Sequence, residues 1–184
     1  LLLLSFSIGL GLTNAVLTLV FQLVSPVGYS NADAGWFSFI LIIVGMIGAA
    51  PMSMILEKSR AYRFIYTNMF IICLISVGFF CSMLYSNNYT LLLFAFGFMG
   101  LTIIPLFPAC LENTAECTYP VSEDISVGVL LTAGNLGTIL ITIMLQYMIE
   151  KSHYDNLPWN TSNIFTMSVL SVGTVLAVLF QGDS

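Results

Sequence analysis

Charged residues in this chain are few and bunched, and the distances between them limit what it can fold into. None occurs before Asp33, and the next uncharged stretch runs from Ala34 to Leu56. After a charged cluster at 57–63, residues 64–111 are again uncharged, as are 125–149 and 156–182. A helix rises about 1.5 Å per residue, so roughly 20 apolar residues cross the ~30 Å hydrocarbon core of a bilayer. Every one of these stretches is long enough. Residues 64–111 suffice for two spans and carry a polar break at Tyr85-Ser86-Asn87-Asn88-Tyr89-Thr90, while 156–182 opens with the turn-like Asn156–Ser162. The pattern predicts six membrane-spanning helices at about 1–24, 33–56, 64–85, 90–113, 125–149 and 162–181.

Composition closes the soluble alternatives. With 58% hydrophobic and 7% charged residues in a chain of 184, and a mean hydropathy of +0.98, a water-soluble domain has too little interior to hide its apolar surface. Four Lys and Arg cannot make a nucleic-acid footprint. Apolar residues run continuously instead of alternating, which excludes a β-barrel, so backbone groups in lipid must be satisfied within helices. The chain opens on four leucines with no basic stretch before them, which reads as a cut into an existing helix and not as a signal peptide. Cys73, Cys81, Cys110 and Cys117 show no metal or disulfide spacing and read as helix-packing residues. No nucleophile–base pair or metal set is visible, so neither an enzyme nor a cofactor is expected.

Lys58, Arg60 and Arg63 share one loop, leaving Lys151 as the other base. By the positive-inside rule that loop faces the cytoplasm, as do both termini, and 25–32, 86–89 and 150–161 face outward. The N-x-S/T sequons at Asn88 and Asn160 fall on the outward side. Trp36 and Trp159 sit where an interfacial aromatic belt would, and His153 reads as a solvated loop residue.

Some residues need a reason to be in lipid. Gly9 and Gly11 soften the first helix and Pro105 and Pro108 interrupt the fourth. These are equivalent positions if the chain is two three-helix repeats, and paired helix breaks mark a carrier's substrate path. Glycine and proline are also simply commoner in membrane helices. Asn135 falls mid-span between Gly134 and Gly137, where a buried amide serves either as glue between helices or as a substrate contact. Asn14 and Gln22, a little over two turns apart, can face one cavity. Glu112 and Glu116, four residues apart near a helix end, either relay protons or bind a cation, or pair with a basic loop.

The segment Glu112-Asn-Thr-Ala-Glu116-Cys-Thr-Tyr-Pro120-Val-Ser-Glu123-Asp-Ile-Ser126-Val-Gly128 resembles the stretch between the tenth and eleventh helices of the feline leukaemia virus subgroup C receptor family. These are major facilitator superfamily carriers linked to haem, choline and ethanolamine, with a vitamin-B6 carrier among their relatives. The loop Gly48-Ala-Ala-Pro-Met-Ser-Met-Ile-Leu-Glu57-Lys58-Ser-Arg60-Ala-Tyr-Arg63 is similar to that superfamily's acidic-then-basic signature, and Asn31-Ala-Asp-Ala-Gly35 fits the entry to the helix before it. The resemblance implies an all-α membrane protein, its six transmembrane helices forming one half, a 3+3 repeat, of a major facilitator fold. The chain is then a single six-helix domain whose partners are the lipid bilayer, a small solute and the N-terminal half of the same carrier.

It further implies transport of a small organic solute by alternating access. Asn14, Gln22 and Asn135 would contact substrate, while Glu57, Arg60, Arg63, Glu112 and Glu116 would gate or couple. The alternative for the 57–63 loop is a topology signal alone. Choline carriers of the family place an aromatic at the position of Asn14 and Gln at that of Asn135, so a smaller polar solute is open here. The plasma membrane is the expected location. The rival reading is a non-transporting membrane receptor or scaffold.

Overall fold

Water is absent from hydrocarbon, so a spanning backbone must bond to itself. In the computed structural model, which describes residues 1–59, 62–84, 86, 88–152 and 161–182, helices are the regular structure and no strand occurs among those residues. They are α1 (Leu2–Val24), α2 (Asn31–Ser59), α3 (Tyr62–Met83), α4 (Tyr89–Ile103), α5 (Leu106–Cys117), α6 (Glu123–Ser152) and α7 (Thr161–Gly182). Among the described residues, six spans are long and apolar enough to cross a membrane, α4 and α5 together making the fourth. The protein is thus an integral, multi-pass membrane protein, with the helical content expected of half a major facilitator fold.

Local chemistry sets the helix ends. A short 3-10 turn at Ser25–Val27 closes on Gly28, whose φ of 94° needs a residue without Cβ and lets the chain reverse. Ser30 and Asp33 then cap α2 reciprocally. The Asp33 carboxylate accepts from the Ser30 N–H at 2.9 Å, and the Ser30 hydroxyl oxygen accepts from the Asp33 N–H at 3.3 Å. This box starts α2 two residues before the expected boundary, and the helix continues through Pro51 to Ser59. Asn88 caps α4, its Oδ1 accepting from the Thr90 N–H at 3.2 Å. The fourth span divides because Pro105 has no N–H to return to Leu101. Ile104 makes the last α4 bond, to Gly100, and Phe107 bonds back to Ile104 in a tighter turn.

Gly9 and Gly11 do not break α1, which runs on from Leu2 to Val24. Glycine keeps its N–H, so the hydrogen-bond ladder survives. What the missing side chain allows is close approach. A Cβ on Gly11 would lie 2.9 Å from the Gly137 carbonyl carbon of α6, and one on Gly137 would lie 2.7 Å from the Ser7 oxygen of α1. The same device joins α2 to α4, where Gly100 sits against the Leu41 backbone and Gly45 against Ile104.

These seams have a two-fold logic. The first helix of each three-helix repeat packs most extensively on the second helix of the other repeat, α1 on α6 and α2 on α4, and each pair runs parallel. The third helices, α3 and α7, pack on each other and behind the first helices. Phe70, Phe96, Met99 and Leu170 fill the space between. At the end holding Gly28, Phe37 stacks on Phe96 at 5.1 Å and meets Tyr29 edge-on at 5.5 Å. Burial, then the neighbouring Asp33 and Tyr89, hold the Tyr29 phenol above its ordinary range.

Gly100→Ala should destabilise the purified full-length protein by about 1–3 kcal/mol or more, because the new methyl meets the backbone oxygen of Leu41, which cannot rotate away. Gly128→Ala, with nothing within 4 Å of its Cβ position, should be neutral or slightly stabilising. Thermal unfolding in detergent, followed by the monodisperse fraction, separates the two.

Candidate functional site

The α1–α6 seam is where polarity enters the middle of the bundle. Asn14 Nδ2 donates to Thr138 Oγ1 at 3.3 Å, and the Thr138 hydroxyl donates to the Gly134 carbonyl at 3.0 Å. Asn135 lies beside this pair but is exposed, contrary to the expected buried amide. The reason is geometric. Gly134 and Gly137 hold the contact with Leu10 and Ser7, so position 135, about 100° further round the helix, turns away from α1. That puts Asn135 on an open face and leaves Asn14 as the amide at the helix contact.

Gln22 is exposed and lines a cleft of about 310 Å³ with Phe21, Ser25, Pro26, Ile149 and Glu150, where α1 and α6 end. Asn14 is not among the cleft residues, so the structure does not bring the two amides into one cavity. Between them Thr18 turns its hydroxyl back to the Asn14 carbonyl at 2.7 Å. A second cavity, about 370 Å³, opens between α1 and the α4–α5 break. Gly9 and Pro108 both line it, with Thr13, Ile104 and Phe107, whereas Gly11 and Pro105 do not. Its walls are apolar, so it offers room but little hydrogen bonding.

At the opposite end, the basic one, Arg60 and the side chain of Glu57 lie outside the described residues; in the 150–161 loop, His153, Trp159 and Asn160 lie outside them too. Arg63 places its guanidinium 4.9 Å from the Phe180 ring centroid on α7, and its Nη2 stands 3.8 Å from Cys117 Sγ on α5. Glu112 and Glu116 are exposed, and among the described residues neither pairs with Arg63. Arg63 thus ties α3 to α5 and α7 within this chain.

Sequence reasoning missed several buried polar groups. Asn113 is fully buried, its Oδ1 accepting from the Cys117 thiol at 3.7 Å while its Nδ2 has no partner. Ser5 and Tyr66 share a hydrogen bond of 2.8 Å, and Ser76 and Thr102 another of 2.8 Å. Hydroxyls are common in apolar helices, and their pairing partners lie tens of residues away, so no local signal marks them.

Several known proteins similar to this chain are named as carriers. It is 29% identical over 187 residues to solute carrier family 49 member A3 of Danio rerio, across 96% of this chain and 38% of that protein. It is 28% identical over 185 residues to the choline/ethanolamine transporter FLVCR1 of Mus musculus, across 100% of this chain and 32% of that one. This chain is a relative of those solute carriers. A third, the choline/ethanolamine transporter FLVCR2 of Homo sapiens, is 27% identical over 153 residues, 83% of this chain and 28% of its own length. No family model matches. The chain spans about a third of the length of these proteins. The names of the two FLVCR proteins carry choline and ethanolamine, and haem appears in none of the three.

If Arg63 is an internal strap, Arg63→Gln should lower the stability of the protein by about 0.5–1 kcal/mol, the size of an exposed cation–π contact. Glu116→Gln should change it by less than about 0.5 kcal/mol, as an exposed substitution does. Chemical or thermal unfolding of the full-length protein gives both numbers.

Proposed function

We propose that this chain is one half of a transporter that moves a small polar organic solute by alternating access, and that its α1–α6 seam lines the path. The observation that supports it most is the mid-span hydrogen bond between Asn14 and Thr138, with Asn135 exposed three residues before Thr138 on the same helix. An amide is costly to leave facing lipid. A solute-filled cavity gives Asn135 partners that lipid cannot.

The other half of the cavity would come from chain not present here. In their most apolar stretches only 17% of α2 and 11% of α6 is buried, against 56% of α1. These two helices are the least buried of the spans and are the natural seats for an N-terminal six-helix half. The basic end, with Lys58 and Arg63, would be cytoplasmic by the positive-inside rule, and the end with Gln22 and Glu150 outward. The plasma membrane is the proposed location.

The relatives' names make choline and ethanolamine the first solutes to test. Amide oxygens at Asn14 and Asn135 favour ethanolamine, whose primary ammonium donates hydrogen bonds that a quaternary ammonium cannot. Glu112 and Glu116 lie exposed at the cytoplasmic end, away from the seam, and this placement supports facilitated movement over proton coupling.

In cells expressing the full-length protein, Asn135→Leu should cut ethanolamine uptake tenfold or more at unchanged surface abundance. Lost abundance with unchanged uptake per molecule would make Asn135 a structural residue instead. Uptake should also respond equally to an imposed pH gradient in wild type, Glu112→Gln and Glu116→Gln. A gradient-driven rate that vanishes in either variant, with downhill exchange preserved, would establish proton coupling.

A further inference from the structure

Polar groups along the α1–α6 seam do not stop at mid-span. On α1, Asn14, Thr18 and Gln22 follow one another at four-residue intervals, and on α6 Thr138 is followed in the same step by Thr142, Gln146 and Glu150. Residues four apart stack along one inclined row of a helix. The rows are bridged at their inner ends by the Asn14–Thr138 hydrogen bond, and at their outer ends Gln22 and Glu150 line the same 310 Å³ cleft. Between them the Thr142 hydroxyl oxygen is buried without a hydrogen-bond partner.

The cleft has the chemistry of a cation site. Glu150 is the charged group lining it among the described residues, and Lys151, the next residue, does not line it. Gln146 Nε2 donates to Glu150 Oε1 at 3.4 Å, which leaves most of the carboxylate's acceptor capacity open. Phe21 is 41% exposed and lines the same space, so an aromatic ring shares the cleft with the carboxylate. It lies seven residues after Asn14, close to two turns, on the same side of α1. The aromatic surface that Asn14 does not offer at mid-span is present at the mouth.

We propose that this cleft is an outer docking site for a small organic ammonium, held by the Glu150 carboxylate, the Phe21 ring and the Gln22 amide before it passes along the two polar rows. The proposal rests on the carrier reading and on the orientation given above. A carboxylate at the entrance concentrates cations and discriminates against neutral analogues of the same shape.

The test uses the full-length protein in intact cells, with a reporter thiol at Ser25→Cys on the cleft wall. Modification rates by cationic and anionic methanethiosulfonates are compared, with ethanolamine or its neutral analogue propan-1-ol as protectant, and ethanolamine uptake is measured in the same cells. Ethanolamine should slow modification at least threefold and propan-1-ol should not. Glu150→Gln should abolish that protection and lower the cationic-to-anionic rate ratio severalfold, while Glu150→Asp, which keeps the charge, should retain part of both. Equal protection by propan-1-ol, or protection unchanged in Glu150→Gln, would overturn the docking site. Protection without uptake would keep the cleft and remove the carrier reading. Uptake without protection would do the reverse.

Discussion

Close backbone approach at two glycine seams is the constraint from which the other features of this bundle follow. Lipid tails are as apolar as leucine, so helices in a bilayer gain little by hiding apolar faces from their surroundings. They associate through dispersion, which needs contact, and contact is closest where Cβ is missing. Gly11 against Gly137 draws α1 onto α6, and Gly100 against Leu41 draws α2 onto α4. Without the first approach, Asn14 would not reach Thr138. Without the second, the short α4–α5 span would lose the partner that holds it in place while Pro105 interrupts its ladder.

Much of the architecture was readable because lipid penalises charge so heavily. The uncharged stretches located six spans, since a misplaced Lys or Asp costs more in hydrocarbon than any propensity can offset. Refinements came from short-range chemistry. The Ser30–Asp33 capping box explains why α2 starts early, and the missing N–H of Pro105 explains why the fourth span is two helices. Gly9 and Gly11 were harder, because a glycine's role in lipid depends on whose backbone arrives opposite it.

Faces were less legible than spans for a related reason. A soluble helix shows an apolar stripe that says which side packs. On α6, Asn135 and Thr138 stand three residues apart on one side of the helix, so nothing in the pattern distinguished Asn135 on the open face from Thr138 at the contact. The same holds for Arg63. Its place in the 57–63 cluster suggested pairing with acids, yet a guanidinium is also weakly hydrated and stacks on aromatic rings. Phe180, more than a hundred residues on, is where it goes.

The two seams are alike in geometry and unlike in chemistry, and that difference bears on function. Both pair the first helix of one repeat with the second helix of the other, in parallel, through glycines. The α2–α4 seam is apolar where it is closest, with Leu41, Gly45, Ile104 and Leu101 at the contact. Its counterpart between α1 and α6 carries Ser7, Asn14 and Thr138. If stability alone had shaped both, there would be little reason for the difference, since polar pairs in membrane helices contribute only about 0.6 kcal/mol on average. Amides and hydroxyls are better suited to a seam that must exchange one set of hydrogen bonds for another as a solute passes. An apolar seam suits a fixed hinge, whose contacts should hold in every state. On this view the 3+3 repeat divides labour between chemically different halves, with α2–α4 holding the half together and α1–α6 meeting the solute.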